Sequence, residues 1–172
     1  MILPLLQILA FASVAIYFGH RRAGLRKRNN QSWDSLLSRL RVDWSARELS
    51  ENFLWKEGID ATPDDAWQRM EGPNGLWVMY QNSRVMLEMA DFAARNNPDV
   101  DKLIVETLRS DAMQIRVCVL MCLAQYGFSQ ASEGVRINAF RAAAMYTGMA
   151  ARMTELLQNH AAGVLPDFVA AM

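Results

Sequence analysis

Two thiols four residues apart are the first candidates for chemistry. Cys118 and Cys122 fall on one helical face, with Met113 and Met121 near them. Soft sulfur of this kind suits Cu(I) or another thiophilic ion. No further Cys and no His stands at a spacing that completes a ligand set. The pair therefore reads as small, soft side chains filling a crowded core. Two cysteines are too few for a disulfide scaffold, and a buried free pair fits a reducing compartment.

The remaining candidates are weaker. His20 and His160 are the only histidines. His20 borders an apolar run, and His160 closes a long helical pattern, where the helix dipole favours a cation. Nothing around His160 supports haem ligation. Di-iron bundles need Glu-x-x-His pairs on facing helices, and none occurs. Glu88 and Asp91 share a helix face, as do Asp99 and Lys102; both pairs read as solvated surface. Gly72-Pro73-Asn74-Gly75 opens a helix and would suit an anion. Without a following Lys, Ser or Thr in pattern, it reads as a turn between helices. P-loop, dinucleotide, nucleophile-elbow, zincin and CxxC motifs are missing from the sequence. The expectation is a non-enzymatic chain with no catalytic, metal or cofactor residues.

The elements that would position any site are helices. Ile2 to Gly19 carries no charged side chain, and His20, Arg21 and Arg22 follow directly. At about 1.5 Å per residue, eighteen residues rise roughly 27 Å, close to the hydrocarbon thickness of a bilayer. Continuation through Ala23 and Leu25 lets the arginines snorkel. Tyr17 and Phe18 stand where interfacial aromatics belong, and Pro4 falls in the first turn. A cleaved secretory signal carries its positive charge before the apolar run and small residues at the cut. Here the bases come after it. Residues 1–28 are thus expected to be a single transmembrane helix with a basic juxtamembrane collar, Arg21, Arg22, Arg26, Lys27 and Arg28. The positive-inside rule places the N-terminus outside and the rest in the cytoplasm, at the cell (inner) membrane.

The net charge is zero, but unevenly spread. The collar leaves thirteen of the eighteen bases to face all eighteen acids. A basic collar beside a mildly acidic domain does not suggest nucleic-acid binding. A hydrophobic content of 52% argues against disorder.

Residues 29–61 read as an amphipathic helical connector. Trp33, Leu36, Leu37, Leu40 and Trp44 recur at helical spacing, and such a stripe either packs on its own domain or lies on the membrane. Ser45 and Glu48 fit a capping box. Leu49, Phe53 and Leu54 continue the pattern to Gly58. Residues 62–162 read as a helical bundle. Thr62-Pro63-Asp64-Asp65 is a strong helix start: a cap, a proline at the first position and two acids against the dipole. Three long helices follow, from Gly75 to Arg95, from Pro98-Asp99 to Tyr126 with Gly127 as C-cap, and from Ser129 or Ser132 to His160. Val117 to Ala124 is apolar on every face, so the second is expected to be the most enclosed. Ala143, Ala144, Gly148, Ala150 and Ala151 thin the third for close packing. Gly163 and Pro166 break the pattern, leaving an apolar tail, 163–172.

That tail offers two alternatives. Leu165, Phe168, Val169 and Met172 either fold back into a groove or dock on another protein. Most of the eleven methionines fall on inward stripes. The fold class expected is all-α, one transmembrane helix followed by a cytoplasmic bundle of three long and several shorter helices. The function expected is a membrane-anchored interaction or scaffold protein whose partners are the lipid bilayer and a protein, another chain or a second copy of itself. The alternative is a tethered bundle that holds an apolar small molecule, a lipid or a pigment, between Met- and Trp-lined helices.

Overall fold

Thr62 shows how directly local chemistry sets this fold. In the computed structural model its hydroxyl accepts the Asp65 N–H at 3.2 Å, and its own N–H donates to the Asp65 carboxylate at 3.1 Å. This reciprocal cap starts a helix at Pro63, as the sequence leads one to expect. The structure describes residues 32–41, 62–129 and 132–172. The expected anchor and collar, Trp44, the Ser45–Glu48 box and the series to Gly58 lie outside the described residues. Apart from Ser32, what is described belongs to one unit, Trp33–Met172.

Six α-helices are described: α1 Trp33–Leu37, α2 Pro63–Arg69, α3 Pro73–Asn96, α4 Lys102–Ser129, α5 Glu133–His160 and α6 Leu165–Ala170. A short 3₁₀ turn, Ala162–Val164, joins α5 to α6. The architecture is an all-α bundle in which α3, α4 and α5 pack on one another. The short helices close it: α1 lies on α3, while α2 and α6 lie on α5.

The α2–α3 connection is a tight reversal. Glu71 and Gly72 both adopt left-handed backbone, with φ of 58° and 60°. Pro73 then restarts the helix. Gly75 must lack a side chain, because a Cβ there would sit 2.1 Å from the Met70 carbonyl oxygen. The turn between helices is thus residues 70–72, while Pro73, Asn74 and Gly75 already form the first turn of α3, so the expected turn ends at Gly72.

Polar caps set the other joints. Asp101 accepts the Leu103 N–H at 2.8 Å, so α4 begins after Asp101, slightly later than Pro98-Asp99 suggested. Gly127 lies inside α4 rather than capping it. At the far end of α5, the Asn97 amide meets His160 Nδ1 at 3.3 Å.

The core is continuous across all of these elements. From α3 it takes Leu76, Met79, Met86 and Met89. From α5 it takes Ala139, Ala142 and Ala143, whose small size permits close approach, and Met149, Met153 and Leu157. Gly148 has only the Arg152 side chain near it, so the thin part of α5 is the alanine run alone. Of the two alternatives for the 33–44 stripe, the described part packs on the bundle: Leu36 and Leu40 are buried, and Trp33 meets Phe92 edge-on at 4.8 Å.

Ion pairs bind the elements from outside. Arg39, after α1, holds Glu88 on α3 through both guanidinium nitrogens, at 2.5 and 3.1 Å. Arg109 on α4 reaches Asp91 on α3 at 3.1 Å. Glu88 and Asp91 are therefore half-buried ties between helices, not free surface acids. Arg136 to Asp64 joins α5 to α2, and Arg152 to Asp111 joins α5 to α4, each at 2.6 Å.

Candidate functional site

Helix α4 differs from its neighbours in what it leaves outside. Val105, Leu108, Ala112, Ile115, Val119 and Cys122 are buried, and their three- and four-residue spacing marks one inward stripe. The opposite face is also apolar. Met113 is 68% exposed, Val117 and Leu120 49% each, and Phe128 95%. Met121 is exposed beside them. The expectation, drawn from the all-apolar run Val117 to Ala124, that α4 is the most enclosed helix is overturned by this exposure. A run that is apolar all round gives no clue to which face its own domain covers.

Toward α3 this face deepens into an open groove of about 380 Å³, lined by Tyr80, Leu87, Arg109, Met113, Arg116, Val117 and Leu120. Its wall is stacked. The Arg116 guanidinium lies 5.4 Å from the Tyr80 ring centre, and Tyr80 stacks on Trp77 at 5.1 Å and 3°. Trp77 is itself exposed. Arg109, held by Glu106 and Asp91, fixes the other rim. Ser110, next in the chain to Arg109, accepts from Gln114 at 3.1 Å.

The thiols lie on the inward side. Cys122 is buried, and Cys118 is half-buried with its thiol donating to the Asn138 carbonyl at 3.6 Å. Burial, reinforced by the neighbouring Cys118 thiol, pushes the Cys122 thiol up to about 12. Among the described residues no group of three His, Cys, Asp or Glu side chains could hold a metal ion.

The tail takes the fold-back alternative. Phe168 is 1% exposed and Met172 is buried, both within the main core. Leu165 is half-buried, and Val169 is exposed. The collar residues Arg21, Arg22, Arg26, Lys27 and Arg28 lie outside the described residues. Among the described residues no helix is long and apolar enough to cross a membrane.

Two features escaped the reading of sequence. One is the outward face of α4. The other is a buried polar node at Asn82 and Tyr146, for which the available signal was an asparagine set in an apolar helical stripe. Comparison of the chain with protein-family models, curated proteins and solved structures finds no match. The functional reading rests on the residues and their placement.

Proposed function

We propose that this chain is a non-catalytic, membrane-tethered interaction protein whose helical bundle presents the outward face of α4 to a protein partner. The observation that carries the reading is the contiguous exposure of Met113, Val117, Leu120, Met121 and Phe128 on one helix. An exposed apolar patch of this kind marks an interaction surface in a folded domain. Covering the exposed part of each such side chain contributes on the order of 1–2 kcal/mol, and the arginine and aromatic rim has the composition of protein interfaces. The tether is Ile2 to Gly19 with its collar, read from sequence, which sets the bundle on the cytoplasmic side.

A small apolar ligand is the second reading, carried by the groove along Tyr80 and Leu87. Ligand sites enclose most of the ligand surface. This groove is open, which favours a protein edge over a pocketed molecule.

The test is a photo-crosslinking amino acid at position 117 in the full chain in membranes, with position 155 as control. Glu155 is exposed on α5. Protein adducts at 117 and none at 155 are expected. No protein adduct at 117, or equal adducts at both, would overturn the reading. A lipid or pigment that copurifies and is displaced by Leu120→Trp would favour the ligand instead.

A further inference from the structure

The thioethers of this chain are sorted by burial. Among the described methionines, Met70, Met79, Met86, Met89, Met149 and Met153 are fully buried, Met172 is buried and Met145 is half-buried. The two exposed methionines among the described residues are Met113 and Met121, at 68% and 57%. Both stand on the outward face of α4, and Met113 lines the groove. At 3.6 residues per turn, Met113, Val117, Leu120, Met121 and Phe128 share about 100° of the helix surface. Eight residues of helix, about 12 Å, separate the two thioethers, with Val117 and Leu120 between their Cα positions. The exposed sulfur is therefore set within the apolar face itself.

A thioether attacks without first losing a proton, unlike a thiol. Its sulfur lone pair meets one oxygen of a hydroperoxide, and the S–O bond forms as the O–O bond breaks. Sulfur loses two electrons, the peroxide gains them, and the departing oxygen takes up the proton and leaves as water or an alcohol. The product is methionine sulfoxide, which is polar and can be reduced back. Exposure decides which methionine reacts, because a buried one must wait for the chain to open. Two sulfoxide oxygens within an apolar face need hydrogen-bond partners. Covering them with an apolar surface removes their water and supplies none, which opposes the contact. The thiols of the same helix do not share this role. Cys122 is buried and Cys118 is half-buried against the Asn138 carbonyl, so their oxidation leaves the outward face apolar.

We propose that Met113 and Met121 are a modification site for peroxide-class oxidants, and that their reversible conversion to sulfoxides weakens the contact made by the outward face of α4. This rests on the reading of α4 as an interaction face and names its regulation.

The test has two readouts. In the first, the full chain purified in mild detergent is treated with hydrogen peroxide, and peptides are mapped by mass spectrometry over time. Met113 and Met121 should oxidise at least about tenfold faster than the six fully buried methionines, and the gap should close in denaturant. In the second, membranes carrying the photo-crosslinking amino acid at position 117 are treated with hydrogen peroxide before irradiation. The protein adduct should fall about tenfold or more. It should return after incubation with methionine sulfoxide reductases for both epimers and their reductant. It should persist after peroxide in the Met113→Leu, Met121→Leu double variant, which keeps both thiols and an apolar side chain at each position. Buried methionines that oxidise as fast, an adduct unchanged by peroxide, an adduct that reductases do not restore, or an equal loss in the double variant would each overturn the inference and leave the interaction reading standing. No protein adduct at 117 in untreated membranes ends both.

Discussion

The Asn82 amide donates to the Tyr146 hydroxyl at 3.0 Å, and that hydroxyl donates to the Met172 sulfur at 3.6 Å. The same Asn82 side chain also closes a pair of bonds with the Arg41 backbone, accepting its N–H and donating to its carbonyl, each at 2.9 Å. One buried asparagine on α3 therefore ties the stretch after α1, the middle of α5 and the last residue of the chain. Burial pushes the Tyr146 phenol well above its usual range, offset in part by the Asn82 bond.

Such a node is stabilising only while it is complete. Tyr146→Phe keeps the ring in place but leaves one Asn82 N–H unpartnered, which costs about 1–3 kcal/mol. Asn82→Ala removes the donor to the Tyr146 hydroxyl and both bonds to the Arg41 backbone and opens a void, so it should cost about 3 kcal/mol or more. Thermal unfolding of the full chain in detergent measures both. The double variant should cost less than the sum, since the two residues share one network. Strict additivity would show that the node does not act as a unit.

Glu88 predicts a dependence on acid. Burial works against its charged form, but the hydrogen bonds and charges of Arg39 and Arg84 outweigh that and hold the carboxyl below the usual carboxylate range. The folded state then binds this proton more weakly than the unfolded chain. The stabilisation is complete above the ordinary value, about 4.3, and is lost as pH falls through the lower folded value. Glu88→Gln should remove about 1 kcal/mol at pH 7, a modest figure because the pair is part-exposed. It should also flatten the loss of stability on acidification below about pH 5. A variant with the parent's acid profile would contradict the assignment.

The C-terminal tail acts as a staple. Phe168 enters the core through α6, and Met172 caps the Asn82–Tyr146 node. Phe168→Ala should cost about 3–5 kcal/mol, whereas Val169→Ser, on the exposed side, should lie within about 0.5 kcal/mol. Limited proteolysis should release the tail first in the Phe168 variant. Equal effects at the two positions would show that the tail is not seated.

The contrast between legible and illegible parts follows from range. The start of α2 could be read because Thr62, Pro63 and Asp65 act within three residues, and α5 could be placed because its apolar stripe is periodic. The tail left two alternatives open, since the seating of α6 on α5 is decided by packing that no local pattern records. The Asn82 node was invisible for the same reason: its partners lie 41 residues before it and 64 after. On α4 the missing signal was periodicity itself. Val117 to Ala124 has no polar face to mark the outside, so core and exposed face look alike in sequence.

The thiol pair on that helix separates the two sides chemically. Cys122 faces inward, and its thiol is pushed up to about 12 by burial and by Cys118. Alkylation needs the thiolate, so at pH 8 Cys122 in the native chain should react at least about a hundredfold more slowly than after unfolding, burial adding to the low thiolate fraction. Cys118, half-buried, should react first. Mass spectrometry of iodoacetamide-treated protein reads the order directly. The raised value also has a linkage consequence. The unfolded chain ionises this thiol from about pH 8.5, so stability should fall as pH rises from there toward about 12. Tyr146 contributes in the same direction at higher pH, because its phenol too is held protonated by burial. Cys122→Ala in a Tyr146→Phe background should then flatten the alkaline limb, and rapid native labelling of Cys122 would place that side chain outside the core.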